Sequence, residues 1–211
     1  MRVISRYARI IPGAVDDGGK ITSIGSDGFS AFIREIYARW EISYPKFYKM
    51  DDMSKLAFAA SEILLRGSAI KDRFAPEETG VILTAPHSSL DTDCAHQALI
   101  TGQYAPSPAV FVYTLANIMA GEICIRNGFK GENIVFANDS FMDEGILPYV
   151  NALFESGRIS ACLCGEVDFF DKEFSARLFL VEERTDGAHD VADTYTPVDF
   201  SSVNIRKILY Q

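Results

Sequence analysis

Ser140 lies in the segment NIVFANDSFMDEG, residues 133–145, where an apolar run is followed by polar residues. The run at 133–137 predicts a buried strand, and the residues from about 141 to 157 predict a helix. Many enzymes place a nucleophile at such a strand-to-helix turn, because the side chain there is exposed and faces the helix N-terminus. Ser140 is therefore the candidate catalytic residue of this sequence.

A serine at this turn needs more than a helix terminus to become a nucleophile. The helix dipole contributes only about 0.3–1 kcal/mol at an exposed end, so a positioned general base is required. The hydrolase elbow G-x-S-x-G has small residues two positions either side of the serine; here those residues are Asn138 and Met142. The alternative is structural, because Ser140 and Asp143 fit the S-x-x-[DE] capping box of a helix start. We favour the capping interpretation.

Two further groups of side chains could bind a ligand or a metal. His87, Asp91 and Asp93 share a polar loop, where they are either a ligand cluster or solvated turn residues. Cys162 and Cys164 lie two apart in a strand-like run, but no second Cys or His pair with zinc spacing accompanies them. We interpret the cysteines as buried reduced thiols and predict no metal site and no cofactor.

The composition is that of one globular domain spanning residues 1–211. Apolar residues make up 48% and charged residues 23% of the chain, which is an ordinary mix. The net charge of −9 argues against a nucleic-acid surface, which needs a basic field. No apolar run approaches the roughly 18 residues of a membrane span, and the first residues lack the features of a signal peptide. We therefore expect a cytoplasmic protein.

Strands that alternate with helices predict an α/β layered fold with a mostly parallel sheet. The predicted strands are residues 2–11, 80–84, 133–137, 159–167 and 176–184, with SVNIRKILY as a last possible strand. The predicted helices are residues 27–39, 51–66, 110–126 and 141–157. Residues 185–197 are expected to form a polar, acidic loop.

Four segments resemble the β-ketoacyl-acyl carrier protein synthases, the ketosynthases of the thiolase superfamily. These segments are FYKMDDMSKLAFAASEILL, GVILTAPHSSLDTD, SPAVFVYTLANIMAGEICIRNGFKGEN and ISACLCGEVD, within roughly residues 44–168. Their order and spacing carry the resemblance, since no single segment is diagnostic. The resemblance implies the N-terminal half of the thiolase fold: a five-stranded mixed sheet of order 3-2-1-4-5, flanked by helices.

The resemblance also implies where the active site of the family would lie. The family's condensing cysteine would fall at Ser140. The residues around it, in place of the usual small ones, would be the binding residues Asn138, Asp139, Phe141 and Met142. The family takes two more polar residues, usually histidines, from its C-terminal half. After Ser140 this sequence has only His189, so the resemblance implies that half of the active site is missing.

Three functions follow as hypotheses. The first is a non-condensing partner of a complete ketosynthase in a fatty-acid or polyketide system, resembling a chain-length factor. The second is a Ser140-dependent acyltransferase or acyl-thioester hydrolase. The third is a binding module for an acyl chain or a carrier protein.

The expected partners are a second copy of the chain or a complete ketosynthase, with an acyl carrier protein as a further candidate. Under the predicted strand order, residues 133–137 form a sheet edge, which invites pairing with another chain. In the alternative interpretation, SVNIRKILY folds back over this edge and leaves a monomer.

Overall fold

The computed structural model describes residues 1–102, 107–184 and 195–211, and within them one sheet holds eight strands. The strand order is β3-β2-β1-β7-β6-β4-β5, with β8 paired to β1. The bounds are β1 Arg2–Ile11, β2 Ala14–Asp17, β3 Lys20–Ser23, β4 Thr79–Thr84, β5 Asn133–Phe136, β6 Ala161–Phe170, β7 Glu173–Glu183 and β8 Val198–Asp199.

The sheet is mixed because a parallel part and an antiparallel part meet at β6. Strand β4 runs parallel to both β5 and β6. Strands β6 and β7 form a long antiparallel hairpin, whose turn residues Asp171 and Lys172 have φ values of 48° and 71°. Strand β1 then pairs antiparallel with β7 on its far side. The carboxyl ends of β4, β5 and β6 therefore lie at the same edge of the sheet.

The observed strand order corrects the predicted one. If the five predicted strands are numbered along the chain, the sheet has the order 3-2-4-5-1 rather than 3-2-1-4-5. Strand β6 pairs with β4 on one side and with β7 on the other, so no free edge remains there for the opening strand. The first strand therefore lies beyond β7, where its hairpin with β2 and β3 extends the sheet to eight strands.

Helices cover both faces of the sheet. Their bounds are α1 Phe29–Arg39, α2 Asp52–Leu65, α3 Ile70–Arg73, α4 Leu90–Thr101, α5 Pro108–Val112, α6 Ile118–Asn127, α7 Ile146–Glu155 and α8 Ser202–Tyr210, with 3₁₀ turns at Pro45–Lys49 and Pro76–Glu78. One core cluster lies between the sheet and α1, α2 and α6. A second cluster lies on the opposite face, under α7 and α8. The predicted α/β layering is confirmed, but the prediction of a mostly parallel sheet is wrong. Of the described strand pairs only β4–β5 and β4–β6 are parallel, because β6, β7, β1, β2 and β3 follow one another as antiparallel neighbours.

Two predicted elements are wrong. The apolar stretch at 110–126 is not one buried helix, because Tyr113 turns into the core and separates α5 from α6. The segment SVNIRKILY is α8 rather than a strand, since its buried residues Ile205, Ile208 and Leu209 recur at helical spacing. Ser201 caps this helix by accepting a hydrogen bond from the backbone N–H of Asn204. Most of the predicted acidic loop at 185–197, including His189, falls outside the described residues.

In the part of the chain that the structure describes, no helix combines the length and apolarity that crossing a bilayer requires.

Candidate functional site

Ser140 lies in a turn that joins β5 to α7, at the edge of the sheet where the parallel strands end. The backbone N–H of Met142 donates to Ser140 Oγ at 2.9 Å. The N–H of Ser140 donates to the carboxylate of Asp143 at 3.2 Å. Both hydrogen bonds stay within the turn, so the S-x-x-D pattern forms a local capping arrangement.

This turn does not begin a helix, which corrects the prediction for residues 141–157. Helix α7 starts at Ile146, and its N-cap is Gly145, whose φ of 100° suits glycine. Phe141 explains the delay, because its ring is fully buried and meets Phe179 edge-on at 5.3 Å. Ser140 is therefore not the cap of α7. Pro148 lies in the first turn of α7, where backbone N–H groups lack helical partners, so its missing N–H removes no hydrogen bond from the helix.

Glu166 organises the turn. Its Oε1 accepts hydrogen bonds from Ser140 Oγ at 2.9 Å and from the backbone N–H of Phe141 at 2.8 Å. The hydroxyl of Tyr210, near the end of α8, donates to the same oxygen at 2.7 Å and also contacts Ser140 Oγ. Glu166 is only 7% exposed. One buried carboxylate thus joins β6, the turn after β5 and α8.

The main chain beside Glu166 is shaped by Gly165. Its φ is 149°, and a Cβ at this position would lie 2.1 Å from the carbonyl oxygen of Arg177 on β7. Only glycine permits this approach of β6 to β7, because any side chain would overlap the neighbouring backbone. Gly165 therefore fixes the place from which the Glu166 carboxylate reaches the turn.

Three polar groups crowd Ser140 Oγ. Ser140 donates its hydroxyl proton to Glu166, the N–H of Met142 donates to the oxygen, and the Tyr210 oxygen contacts it while donating its own proton to Glu166. A substrate would have to displace one of these groups to reach the oxygen. Burial raises the pKa of Tyr210 above its ordinary value, with its hydrogen bond to Glu166 as a further cause, which keeps its phenol protonated. In this conformation Ser140 is part of a closed polar network.

His87 belongs to a separate cluster. Its Nδ1 lies 2.8 Å from a carboxylate oxygen of Asp168, and its backbone N–H donates to the other oxygen at 3.0 Å. The imidazole stacks on Phe170 at 4.7 Å. Among the described residues no histidine hydrogen-bonds to Ser140, and the only basic side chain that accepts its hydroxyl proton there is the carboxylate of Glu166.

The other predicted site residues do not converge on a ligand. Asp91 accepts a hydrogen bond from the backbone of Asp171, and Asp93 accepts one from Ser89. Within the described ranges, no three His, Cys, Asp or Glu side chains are arranged to hold a metal ion. The interpretation of Cys162 and Cys164 as buried thiols is confirmed.

The four proposed neighbours of Ser140 lie in different environments. Asp139 is exposed, Asn138 and Met142 are half-buried, and Phe141 has no exposed surface. Phe141 cannot contact a ligand in this conformation, and a binding role for the other three remains a prediction.

Sequence reasoning missed Glu166 and Tyr210, the two side chains that complete the network. Glu166 offered a signal, because it is an acidic residue inside an otherwise apolar strand and a buried carboxylate needs partners. Tyr210 offered none, since it contacts Ser140 across 70 residues of sequence.

Strand β5 is an open edge of the sheet, as predicted. Among the described strands it pairs with β4 alone. The segment SVNIRKILY forms α8 and packs against β7, so the alternative in which it covers this edge is wrong. The carbonyls of Glu132 and Phe136 accept hydrogen bonds from β4 at 2.7 and 2.9 Å. Backbone groups alternate along a strand, so those of Asn133 and Val135 face outward. The edge offers free backbone donors and acceptors.

No family model and no curated protein matches this sequence. Several solved structures share its fold. The ishigamide ketosynthase/chain length factor aligns with a TM-score of 0.66 and 22% identity over 89% of this chain and 63% of its own. AntDE:AntF, a type II PKS acyl-carrier protein in complex with its ketosynthase, aligns with a TM-score of 0.60 and 15% identity over 87% and 62%.

A third structure is the ketosynthase ApeO in complex with its chain length factor ApeC from Xenorhabdus doucetiae. It aligns with a TM-score of 0.56 and 14% identity over 88% of this chain and 81% of the matched chain. The chain spans less than two thirds of the first two matched structures and most of the third. At these identities the likeness concerns the fold, so the chain has the fold found in ketosynthase and chain length factor structures.

Proposed function

We propose that the protein is a ketosynthase-like subunit that does not catalyse condensation itself and pairs with a complete ketosynthase. The observation that carries the non-condensing role is the closed network around Ser140. By the resemblance, the family's cysteine position falls at Ser140, whose oxygen is surrounded by Glu166, Tyr210 and Met142. A thiolate can form near a helix N-terminus, whereas a serine needs an available base. The carboxylate beside Ser140, that of Glu166, also accepts hydrogen bonds from Phe141 and Tyr210.

Pairing through β5 is supported by the state of the two sheet edges. The opposite edge, β3, carries Lys20, Thr22 and Ser23, which is typical of edges that avoid association. The edge of β5 has no charged residue and no proline within the strand. Two such strands related by a two-fold axis could pair antiparallel and continue one sheet across both subunits.

An exposed apolar side chain near β5 supports the same surface. Ile125 is 66% exposed on α6, and the preceding residue, Cys124, accepts a hydrogen bond from Asn133 of β5 at 3.3 Å. A partner that pairs with β5 can cover this exposed apolar side chain as well.

The partners seen in the matched structures suggest what to test. One of those structures is described as a ketosynthase with its chain length factor, and another as a ketosynthase with an acyl-carrier protein. Co-expression of this chain with a ketosynthase from the same gene cluster should give a stable heterodimer, detected by co-purification and sedimentation. Failure to form a heterodimer, with this chain folded, would argue against the proposal.

A second assay tests the non-condensing role directly. The isolated protein is incubated with acetyl and malonyl thioesters and then examined by intact mass. We expect no acyl adduct and no release of carbon dioxide. An adduct that disappears in Ser140→Ala would instead support the acyltransferase or hydrolase hypothesis.

A further inference from the structure

A row of charged side chains crosses the sheet beside the Ser140 network. Strand pairing places Glu166 of β6 opposite Arg177 of β7, Arg177 opposite Arg9 of β1, and Arg9 opposite Asp16 of β2. Residues directly opposite each other point to the same face of a sheet, so these four side chains are neighbours. Two arginines thus face each other, an arrangement that is unfavourable unless each charge is compensated.

The charge of Arg9 is compensated, and so is that of Asp16. Arg9 Nε donates to Asp16 Oδ2 at 2.9 Å, and a second guanidinium nitrogen contacts the same oxygen. The backbone N–H of Gly19 donates to the other oxygen of Asp16 at 2.7 Å. Both carboxylate oxygens of Asp16 therefore accept hydrogen bonds, and the positive charge of Arg9 offsets the negative charge of Asp16. Asp16 then repels a bound anion less strongly.

Among the described residues Arg177 has no acidic partner in hydrogen-bonding contact. Glu166 lies opposite, but its Oε1 is held by Ser140, Phe141 and Tyr210 on the other side. In the described ranges no carboxylate lies within 4.0 Å of Arg177, whose one described hydrogen bond is to Ser175 Oγ at 2.9 Å. A half-buried guanidinium has five donors, and most of those of Arg177 remain available.

Arg177 lines a groove of about 270 Å³ between the first hairpin strands and the end of α8. Arg9 and Tyr210 lie in the same wall, so the groove borders the Ser140 network directly. Ile21 provides an apolar rim that is 68% exposed. The groove therefore combines a half-buried cation, Arg177, with an exposed apolar side chain, Ile21.

We propose that this groove binds a small organic anion, with its carboxylate or phosphate group on Arg177. A guanidinium binds either group through two parallel N–H···O bonds. The apolar rim at Ile21 contacts the organic part of the ligand. Tyr210 lines the groove and also contacts Ser140 and Glu166, so the bound anion would lie next to the turn. The proposal concerns binding and requires no chemical reaction at Ser140.

Isothermal titration of the isolated protein at low salt tests the site with three probes: inorganic phosphate, phosphopantetheine and malonate. We expect at least one probe to bind, and Arg177→Gln to weaken that binding by about tenfold or more. Ile21→Glu, a change at an exposed position that adds a negative charge at the rim, should weaken binding without disturbing the fold. Arg34→Gln, on the exposed face of α1, is the matched control and should bind like wild type.

The probes also separate the two sources of the anion. Tighter binding of phosphopantetheine than of phosphate supports a phosphate monoester ligand, and tighter binding of malonate supports a carboxylate. The proposal is wrong if no probe binds below roughly 10 mM, or if folded Arg177→Gln and Ile21→Glu bind like wild type. Since no ketosynthase is present in this titration, its outcome is independent of the proposed function.

Discussion

Ser140 Oγ lies 2.9 Å from Oε1 of Glu166, although the two residues are 26 positions apart. Ser140 follows β5, and Glu166 belongs to β6. The same carboxylate oxygen accepts the N–H of Phe141 and the hydroxyl of Tyr210. This contact joins Ser140 to a buried carboxylate that ties β6 to the turn after β5. The stability of the protein should therefore depend on Glu166 more than on Ser140.

We expect Ser140→Ala to lower the free energy of unfolding by about 1–2 kcal/mol, since one hydrogen bond to a buried carboxylate is lost. Glu166→Leu should cost more, at least about 2 kcal/mol, because three donors lose their acceptor. Glu166→Gln is the matched control, as it keeps an acceptor oxygen and the side-chain volume. Urea unfolding of the three variants measures the order. A Glu166→Leu protein as stable as Glu166→Gln would contradict the central role of this carboxylate.

If a second chain pairs with the open edge of β5, its binding should depend on the outward backbone N–H of Val135. Val135→Pro removes the outward N–H of Val135 while leaving the hydrogen bonds of Glu132 and Phe136 to β4 in place. We expect this variant to lose dimer or heterodimer formation in sedimentation. Val135→Ala keeps the N–H and controls for the lost side chain. Equal association of the two variants would place the interface elsewhere, and a folded wild type that stays monomeric at high concentration would leave only the heterodimer.

The close approach of β6 and β7 predicts a severe effect at Gly165. Gly165→Ala places a methyl group 2.1 Å from the Arg177 carbonyl at a φ that side chains rarely adopt. We expect a loss of more than about 3 kcal/mol or a failure to fold. The control is Gly121→Ala on α6, where nothing lies within 4 Å, and a gain of about 0.5–1 kcal/mol is expected there. Thermal unfolding measures both variants.

The alkaline limit of stability should depend in part on Tyr113. This hydroxyl donates to buried Glu122 at 3.2 Å. Burial, followed by the charge of Glu122, raises the pKa of Tyr113 well above its ordinary value of 10.0. Below pH 10 the phenol of Tyr113 is neutral in the folded and the unfolded protein, so its contribution to the free energy of unfolding is complete. Above pH 10 the phenol ionises in the unfolded chain first, and the free energy of unfolding falls as pH rises.

Tyr113→Phe removes this contribution. Its free energy of unfolding should be lower than that of wild type at neutral pH, because the hydrogen bond to Glu122 is lost, but should fall less steeply up to about pH 11. Other tyrosines also have raised pKa values, Tyr195 to about 12 among them, so some decline remains in the variant. Unfolding curves at several pH values give both slopes, and identical slopes would exclude Tyr113 as a source.

Local sequence signals located much of the fold. The helix at 51–66 was predicted from apolar residues at helical spacing and is α2 at Asp52–Leu65, capped by Asp51 on the N–H of Ser54. Gly128 ends α6 in the left-handed conformation that favours glycine. These features depend on residues within one or two turns of each other, so the sequence alone was enough to predict them.

The same signals failed where distant residues compete. The pattern at 141–157 is helical, but packing of Phe141 against Phe179 on β7 holds the chain in a turn until Gly145. There tertiary contacts outweigh a local preference of a few tenths of a kcal/mol per residue. The last segment is a different case, because Ile205, Ile208 and Leu209 recur at helical spacing and the strand prediction overlooked that local signal.

By itself the sequence determined which segments are strands and helices in most of the chain, the serine at residue 140, and an uncharged strand at 133–136. The tertiary structure alone decided the strand order and the joining of Ser140, Glu166 and Tyr210, which lie up to 70 positions apart. Periodicity records which side of a segment is buried, but it does not record which other segment covers it. That pairing is fixed by the long β6–β7 hairpin, because the hairpin occupies one edge of β6 and leaves β1 only the far side of β7.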